Sequence, residues 1–372
     1  MFSLSWAQVS AFRLHRHHLA CRAPRQSLVA VVGDMGGVQA QLMAAAQMSL
    51  WARVQDLTSQ DVERALWPER TLVKTWCLRG TVHLLPAQEL PIYAAALQRS
   101  ALRAEQRWMA RSGVGPDEMA IMAQAIAEAL ASGPLTRRQL AERVVAMLGP
   151  QARPWVEHSW GGVVKQACLQ GLLCFGPSRG QEITFVRRDQ WLPDLASLPV
   201  HEAETALLRR YLQSYGPATL PDFAAWTGML VSDVLPVRQR LGDEVTEEVD
   251  VEGRRSLLLR QDLAAIQAME GSDQSVRLLP SFDAYLLGHR DKGHLVDEAH
   301  YKLVYRKAGW LSPVVLVGGR VAGVWSHVRR GRRLCVTVQS FAELPGAVRE
   351  QIAVEAADLG RFLGATGEVT FA

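Results

Sequence analysis

At 372 residues, with 48% apolar and 21% charged side chains, the chain has the make-up of a soluble globular protein large enough for roughly two or three domains. No apolar run reaches the ~18 residues of a membrane-spanning helix, which argues against a membrane protein and for a cytoplasmic one. The net charge of +4 is too small to mark a partner, so its distribution carries the information.

The five cysteines, at 21, 77, 168, 174 and 335, are odd in number and contain no Cys-x-x-Cys pair. That spacing excludes a zinc ribbon, argues against a disulfide framework and predicts buried thiols. His15, His17 and His18 lack the i, i+4 spacing that brings two ligands onto one helical face, so neither a metal nor another cofactor is expected.

The first 33 residues hold arginines but no acid until Asp34, a composition shared with transit peptides. Trp6, Val9, Phe12, Leu14 and Leu19 nevertheless keep a rough apolar face, and the pattern predicts folded helices over 5–19 and 25–32, the second opening after Pro24. Gly33, Gly36 and Gly37 then forbid a continuous helix, and Val38 to Leu42 is expected to run extended. In an extended chain residues two apart share a face, so the side chains of Gln39 and Gln41 converge. Spacing alone leaves two readings: a polar strand face leading into the next helix, or a pair of amides that holds one water molecule between neutral donors and acceptors.

A helix is predicted over 43–54. Thr58 to Asp61 caps a second that ends before Pro68, a short helix follows over 70–77 and an extended segment over 80–85, and a supporting helix covers 86–109. A second unit shows helices over 117–131, 136–148 and 157–171 before a strand-rich stretch to Val186. After a Pro193–Pro199 linker, helices over 202–214, 219–227 and 231–241 precede strands over 244–250 and 255–260, joined at Glu252-Gly253. Strands near 312–318, 320–326 and 332–339, a helix over 345–363 and a last strand close the chain. The fold class expected is α+β, mainly helical: three tandem winged-helix units (1–112, 113–192 and 200–262) and a C-terminal β-rich domain (263–372).

Three blocks in this order carry a resemblance. Gly33 to Leu42 is followed by an Ala-rich helix ending Trp51-Ala52-Arg53, then by Arg79-Gly80-Thr81-Val82-His83-Leu84, and later by Leu279-Pro280-Ser281-Phe282-Asp283-Ala284-Tyr285-Leu286-Leu287-Gly288. The sequence resembles the AlkZ/YcaQ family of winged-helix DNA glycosylases, whose catalytic element is Gln, an aliphatic residue, then Gln or Asp. The resemblance implies that Gln39 and Gln41 are the catalytic pair, with Ala40 an unusually small residue between them. It also implies a monofunctional enzyme that excises cationic N7-alkylpurines, and in some relatives unhooks interstrand crosslinks joined through guanine N7.

The chemistry of the pair points the same way. Amides cannot protonate a leaving base and stabilise an oxocarbenium-like sugar less than the carboxylates of glycosidases do, so bases already carrying positive charge, such as N7-alkylguanine or N3-alkyladenine, are the expected substrates. The partner expected is double-stranded DNA with alkylated or crosslinked purines, bound by a monomer.

Basic residues expected to serve the DNA are Arg13, Arg16, Arg53, Lys74, Arg79 and His83, the last two placed on one strand face near the pocket, and Arg329, Arg330, Arg332 and Arg333 around a Gly331 hairpin tip. The wing of the third unit is acidic, with Asp243, Glu244, Glu247, Glu248, Asp250 and Glu252, and is expected to stay off DNA. The rival reading is a non-enzymatic winged-helix transcriptional regulator, with Lys165, Gln166 and Gln170 facing base edges.

Overall fold

A computed structural model describes residues 2–111, 113–158, 162–243, 245–271 and 274–372, without the side chains of residues 104, 106, 108 and 109. The chain forms two compact units. One holds the chain up to Val62, Leu208–Trp226 and Arg238–Ala372; the other holds Glu63–Leu207 and Thr227–Val237.

The first unit begins with strand Phe2–Leu4, which pairs in parallel with Thr246–Val251, itself antiparallel to Arg254–Leu259. Glu252 and Gly253 at that hairpin tip both take positive φ, 48° and 88°, as a two-residue turn between right-twisted strands demands. Helix Trp6–Arg16 starts at a Ser5–Gln8 capping box and lays Val9 and Phe12 against Leu4, Val249, Val251 and Leu258. The acid-free N-terminal segment is therefore part of the folded core.

A five-stranded sheet in the same unit runs Val276–Leu279, Val314–Val317, Arg320–Arg330, Arg333–Ser340, Thr366–Phe371. Its last strand joins parallel to its neighbour, because the crossover helix Gly346–Phe362 carries the chain back along the sheet. That helix buries Ile352, Ala356 and Leu359 and lies so close to the last strand that a Cβ at Gly367 would stand 1.8 Å from the Ala356 carbonyl oxygen. Hence the glycine.

In the second unit, helix Pro116–Ala129, strand Leu135–Thr136, helices Arg137–Leu148 and Gly162–Leu169, and strands Leu173–Arg179 and Glu182–Arg187 follow one another, with Glu182–Arg187 central in the three-stranded sheet. That is the order and sheet topology of a winged helix. Thr136 caps the middle helix through a reciprocal box with Gln139.

Four expectations change. Residues 70–77 are not helical: Leu72–Trp76 is a strand, antiparallel to Val82–Pro86, because Val73 and Thr75 favour the pleat and four of its five residues are buried. The helix expected over 157–171 is instead Arg153–Glu157 and Gly162–Leu169, with 159–161 outside the described residues. Strands Phe2–Leu4 and Val276–Leu279 have no counterpart among the predicted elements. Of the thiols, Cys77, Cys168 and Cys174 are buried, but Cys21 is exposed and Cys335 half-buried. Among the described residues no helix is long and apolar enough to cross a membrane and no cluster of metal-ligating side chains occurs.

Candidate active site

The segment bearing the two glutamines is short and held at both ends. Helix Leu28–Asp34 stops at Met35, and Gly36 and Gly37 take positive φ of 67° and 91°, turning the chain into strand Val38–Gln39. The strand is shorter than the extended run expected over Val38 to Leu42: it ends at Gln39, and the chain bends at Gln41 and Leu42 before helix Met43–Trp51 begins. Burial alternates along the way: Val38 and Ala40 are each 1% exposed, Gln39 is half-buried and Gln41 exposed. The small Ala40 side chain is thus buried in the core between two more exposed glutamines.

Upstream, the Tyr215 hydroxyl donates to the Met35 carbonyl at 2.8 Å, and a Cβ on Gly36 would stand 2.9 Å from the Trp226 ring. Positive φ and that close approach together require glycine there. Tyr215 belongs to an aromatic cluster with Tyr211, Trp226 and His289, and its own carbonyl accepts from His289 Nε2 at 2.9 Å. Downstream, Ser49 and Arg53 bracket the C-terminal end of the Ala-rich helix, and both bond Asp283: Ser49 Oγ at 2.5 Å, Arg53 through both guanidinium nitrogens at 2.8 and 2.7 Å. Asp283 also caps its own segment by accepting from the Tyr285 N–H at 3.0 Å. The segment 279–288 is therefore the anchor onto which the glutamine-bearing segment is tied.

A family model described as DNA glycosylase AlkZ-like matches residues 32–362. The chain belongs to the AlkZ-like DNA glycosylase family. It is 36% identical over 336 residues to an interstrand DNA cross-link repair glycosylase of Streptomyces sahachiroi, covering 87% of this chain and 88% of that protein. Its fold matches the solved structure of Streptomyces sahachiroi DNA glycosylase AlkZ with a TM-score of 0.89 at 33% identity over the whole of both chains. As a member of this AlkZ-like family the chain is a DNA glycosylase, an enzyme that hydrolyses N-glycosyl bonds, and its class is α+β, mainly helical, as expected.

The basic residues nominated from sequence divide sharply. Arg53 has no exposed surface and is committed to Asp283. Arg13 is buried, donates to the Pro217 carbonyl at 2.6 Å, and has its pKa pulled down to about 10 by burial. Neither lies on a surface that a phosphate reaches. A strongly polar head on a helix reads as solvated from sequence, but Arg13 falls within the buried run Val9 to Leu14. Arg16 is partly exposed and ion-paired with Asp262.

His83 and Arg79 do not share a strand face. Arg79 sits in the turn Leu78–Gly80 at φ 54°, whereas His83 is buried in strand Val82–Pro86 with Nδ1 3.0 Å from the Thr81 carbonyl. Burial, aided by the Arg79 charge, takes the His83 pKa down to about 3, which keeps the ring neutral. Lys74 is half-buried over the Phe175 ring at 5.1 Å, and burial lowers its pKa.

The basic hairpin is present as expected. Arg320–Arg330 and Arg333–Ser340 pair up to Arg330 opposite Arg333, and Gly331 turns the tip at φ 61°. Arg329 is drawn back onto the Leu363 and Gly364 carbonyls, and Arg333 onto Glu368. Arg330 and Arg332 are exposed and make no ion pair among the described residues. The acidic wing is also exposed at Asp243 and Glu248, while Glu244 lies outside the described residues. Of the residues that a regulator would aim at base edges, Gln166 is buried, Lys165 is paired with Glu105, and Gln170 is half-buried just past the end of helix Gly162–Leu169.

Proposed function

We propose that this glycosylase releases cationic N-alkylpurines, N7-alkylguanine and N3-alkyladenine, from double-stranded DNA, and unhooks interstrand crosslinks joined through guanine N7. Gln39 and Gln41 position the water. The observation that supports the reading is the alternation of burial along 38–41, where Val38 and Ala40 are buried while Gln39 is half-buried and Gln41 exposed. The crosslink substrate is supported by the relative's description as an interstrand cross-link repair glycosylase.

The reaction balances without an acid on the protein. Water attacks the anomeric carbon, the C–N bond breaks, and its electron pair neutralises the cationic base, which leaves uncharged; the extra proton passes to solvent. The enzyme's share is to orient the nucleophile and favour the oxocarbenium-like transition state over the ground state. The amides remain neutral throughout, which suits a site facing a positively charged lesion.

The exposed hairpin arginines 330 and 332 supply phosphate contacts, with Arg329 and Arg333 bracing the tip, and the acidic wing stays clear of the backbone. We read residues 1–112, 113–192 and 200–262 as winged-helix units and 263–372 as the β-rich domain that carries the hairpin, in a monomeric cytoplasmic protein. Incubating the purified protein with duplex containing 7-methylguanine, and separately with an N7-linked crosslink, tests the substrate class. Free base with alkali-labile strands from the first, and separated strands on a denaturing gel from the second, are the expected products; intact substrate in both cases overturns the proposal.

A further inference from the structure

Besides local backbone bonds, side chains far away in sequence hold the chain on either side of the glutamine pair. Tyr215 is one of them. Its ring is 1% exposed and fills the space above Gly288, where a Cβ would stand 2.1 Å from it. Its hydroxyl reaches the Met35 carbonyl at 2.8 Å, four residues before Gln39, and lies 3.4 Å from the Ala284 carbonyl. A phenol has a single proton, so the shorter contact is the bond and the longer one a weak second acceptor.

Met35 is the residue on which helix Leu28–Asp34 ends, and two glycines at positive φ separate it from strand Val38–Gln39. The turn is closed by backbone bonds from the Gly36 N–H to the Gly33 carbonyl at 2.8 Å and from the Gly37 N–H to the Val32 carbonyl at 3.0 Å, and the Tyr215 hydroxyl adds the side-chain bond that fixes its Met35 carbonyl ahead of the strand.

We infer that Tyr215 is a positioning residue for the glutamine pair: it acts through Met35 to set the height and rotation of Gln39, and with Asp283 at the far end of helix Met43–Trp51 it keeps the two amides on one water. The inference rests on the reading of Gln39 and Gln41 as the water-holding pair. Asp283 does the corresponding job downstream through Ser49 and Arg53. Both anchors converge on 279–288, because Tyr215 covers Gly288 and touches the Ala284 carbonyl.

Tyr211 supplies an internal control. Its hydroxyl is equally buried, belongs to the same aromatic cluster and donates to the Gly288 carbonyl at 2.9 Å, yet makes no bond to the glutamine-bearing segment among the described residues. Removing either hydroxyl deletes one buried hydrogen bond and leaves the ring in place.

The test compares wild type, Tyr215→Phe, Tyr211→Phe and Gln39→Ala in single-turnover release of 7-methylguanine at saturating enzyme, with duplex affinity measured in parallel. Y215F is expected to slow the chemical step about tenfold or more, since a displacement of about 1 Å costs up to ~100-fold, while Kd for DNA changes less than about twofold. Y211F is expected to melt about as low as Y215F and to keep the wild-type rate. Equal slowing in both variants, or wild-type chemistry in Y215F, overturns the inference. The two readings fail separately: a wild-type rate in Q39A removes the catalytic pair itself, whereas a slow Q39A beside a normal Y215F removes only the positioning role. Should Y215F not fold, Ser49→Ala removes one donor from Asp283 at the other anchor. Slower release at unchanged affinity in that variant supports positioning from the distant anchors, and a wild-type rate overturns it.

Discussion

Arg53 and Asp283 meet fork to fork, 2.8 and 2.7 Å apart, with neither side chain exposed and the two residues 230 positions apart in the chain. One follows the helix after the glutamine pair and the other opens a segment near the C-terminal sheet, so the bond closes the core around the site. Breaking such a pair by removing one partner leaves an uncompensated buried charge and costs about 3–5 kcal/mol. Asp283→Ala should therefore lower the denaturation midpoint far more than Asp291→Ala on the surface. Urea unfolding of both variants checks this, and comparable losses would count against the assignment.

Buried neutral histidines make the fold acid-labile. Burial holds His17, His289 and His294 well below the ordinary imidazole range, and His83 at about 3. An unfolded imidazole takes up its proton near pH ~6.5, so below that value the unfolded state binds more protons than the native one. The stabilisation is complete above about pH 6.5 and is lost as pH falls toward 3, by at most ~1.4 kcal/mol per pH unit for each ring. Asp262 and Glu355, raised by burial, act in the opposite direction, so the contrast between wild type and His83→Gln isolates one ring. The variant should lose less stability than wild type between pH 7.5 and 5.5; parallel curves would show that His83 is not a neutral core group.

On the hairpin, Arg329 and Arg333 are drawn onto neighbouring groups, whereas Arg330 and Arg332 are exposed and make no ion pair among the described residues. Replacing both by Ala should weaken duplex binding and reduce the slope of log K against log salt by about 1.8, at ~0.9 per phosphate contact. Titrations at several salt concentrations measure it. An unchanged slope places the hairpin off the backbone.

The acidic wing is expected to behave in the opposite way. Changing Glu247 and Glu248 to Gln should leave duplex affinity unchanged or raise it, because like charge repels phosphate. A marked loss of affinity would put that wing against DNA.

Much of this architecture is legible from local signals. The capping boxes at Ser5 and Thr136, the Glu252-Gly253 and Gly331 turns and the apolar periodicity are short-range chemistry, and they place their elements within a few residues. Leu72–Trp76 is not legible in the same way, because a short apolar run suits either a helix or a buried strand until its partner, Val82–Pro86, is known. The glutamine pair is singled out by resemblance, spacing alone leaving two readings, but its anchors are not legible at all. Nothing near Tyr215 or Asp283 in sequence points to residues 35 or 53, since those bonds exist only after distant segments have packed. For the same reason Arg13 and Arg53 read as solvent-facing cations, when burial and a fixed partner make them structural.

The most direct measurement is single-turnover release of 7-methylguanine by Gln39→Ala, Gln41→Ala and the double variant, with duplex affinity determined alongside. If the two amides hold one water, each single change slows release by at least about tenfold, the double change is less than multiplicative, and affinity is retained. Wild-type rates in the double variant would contradict the account.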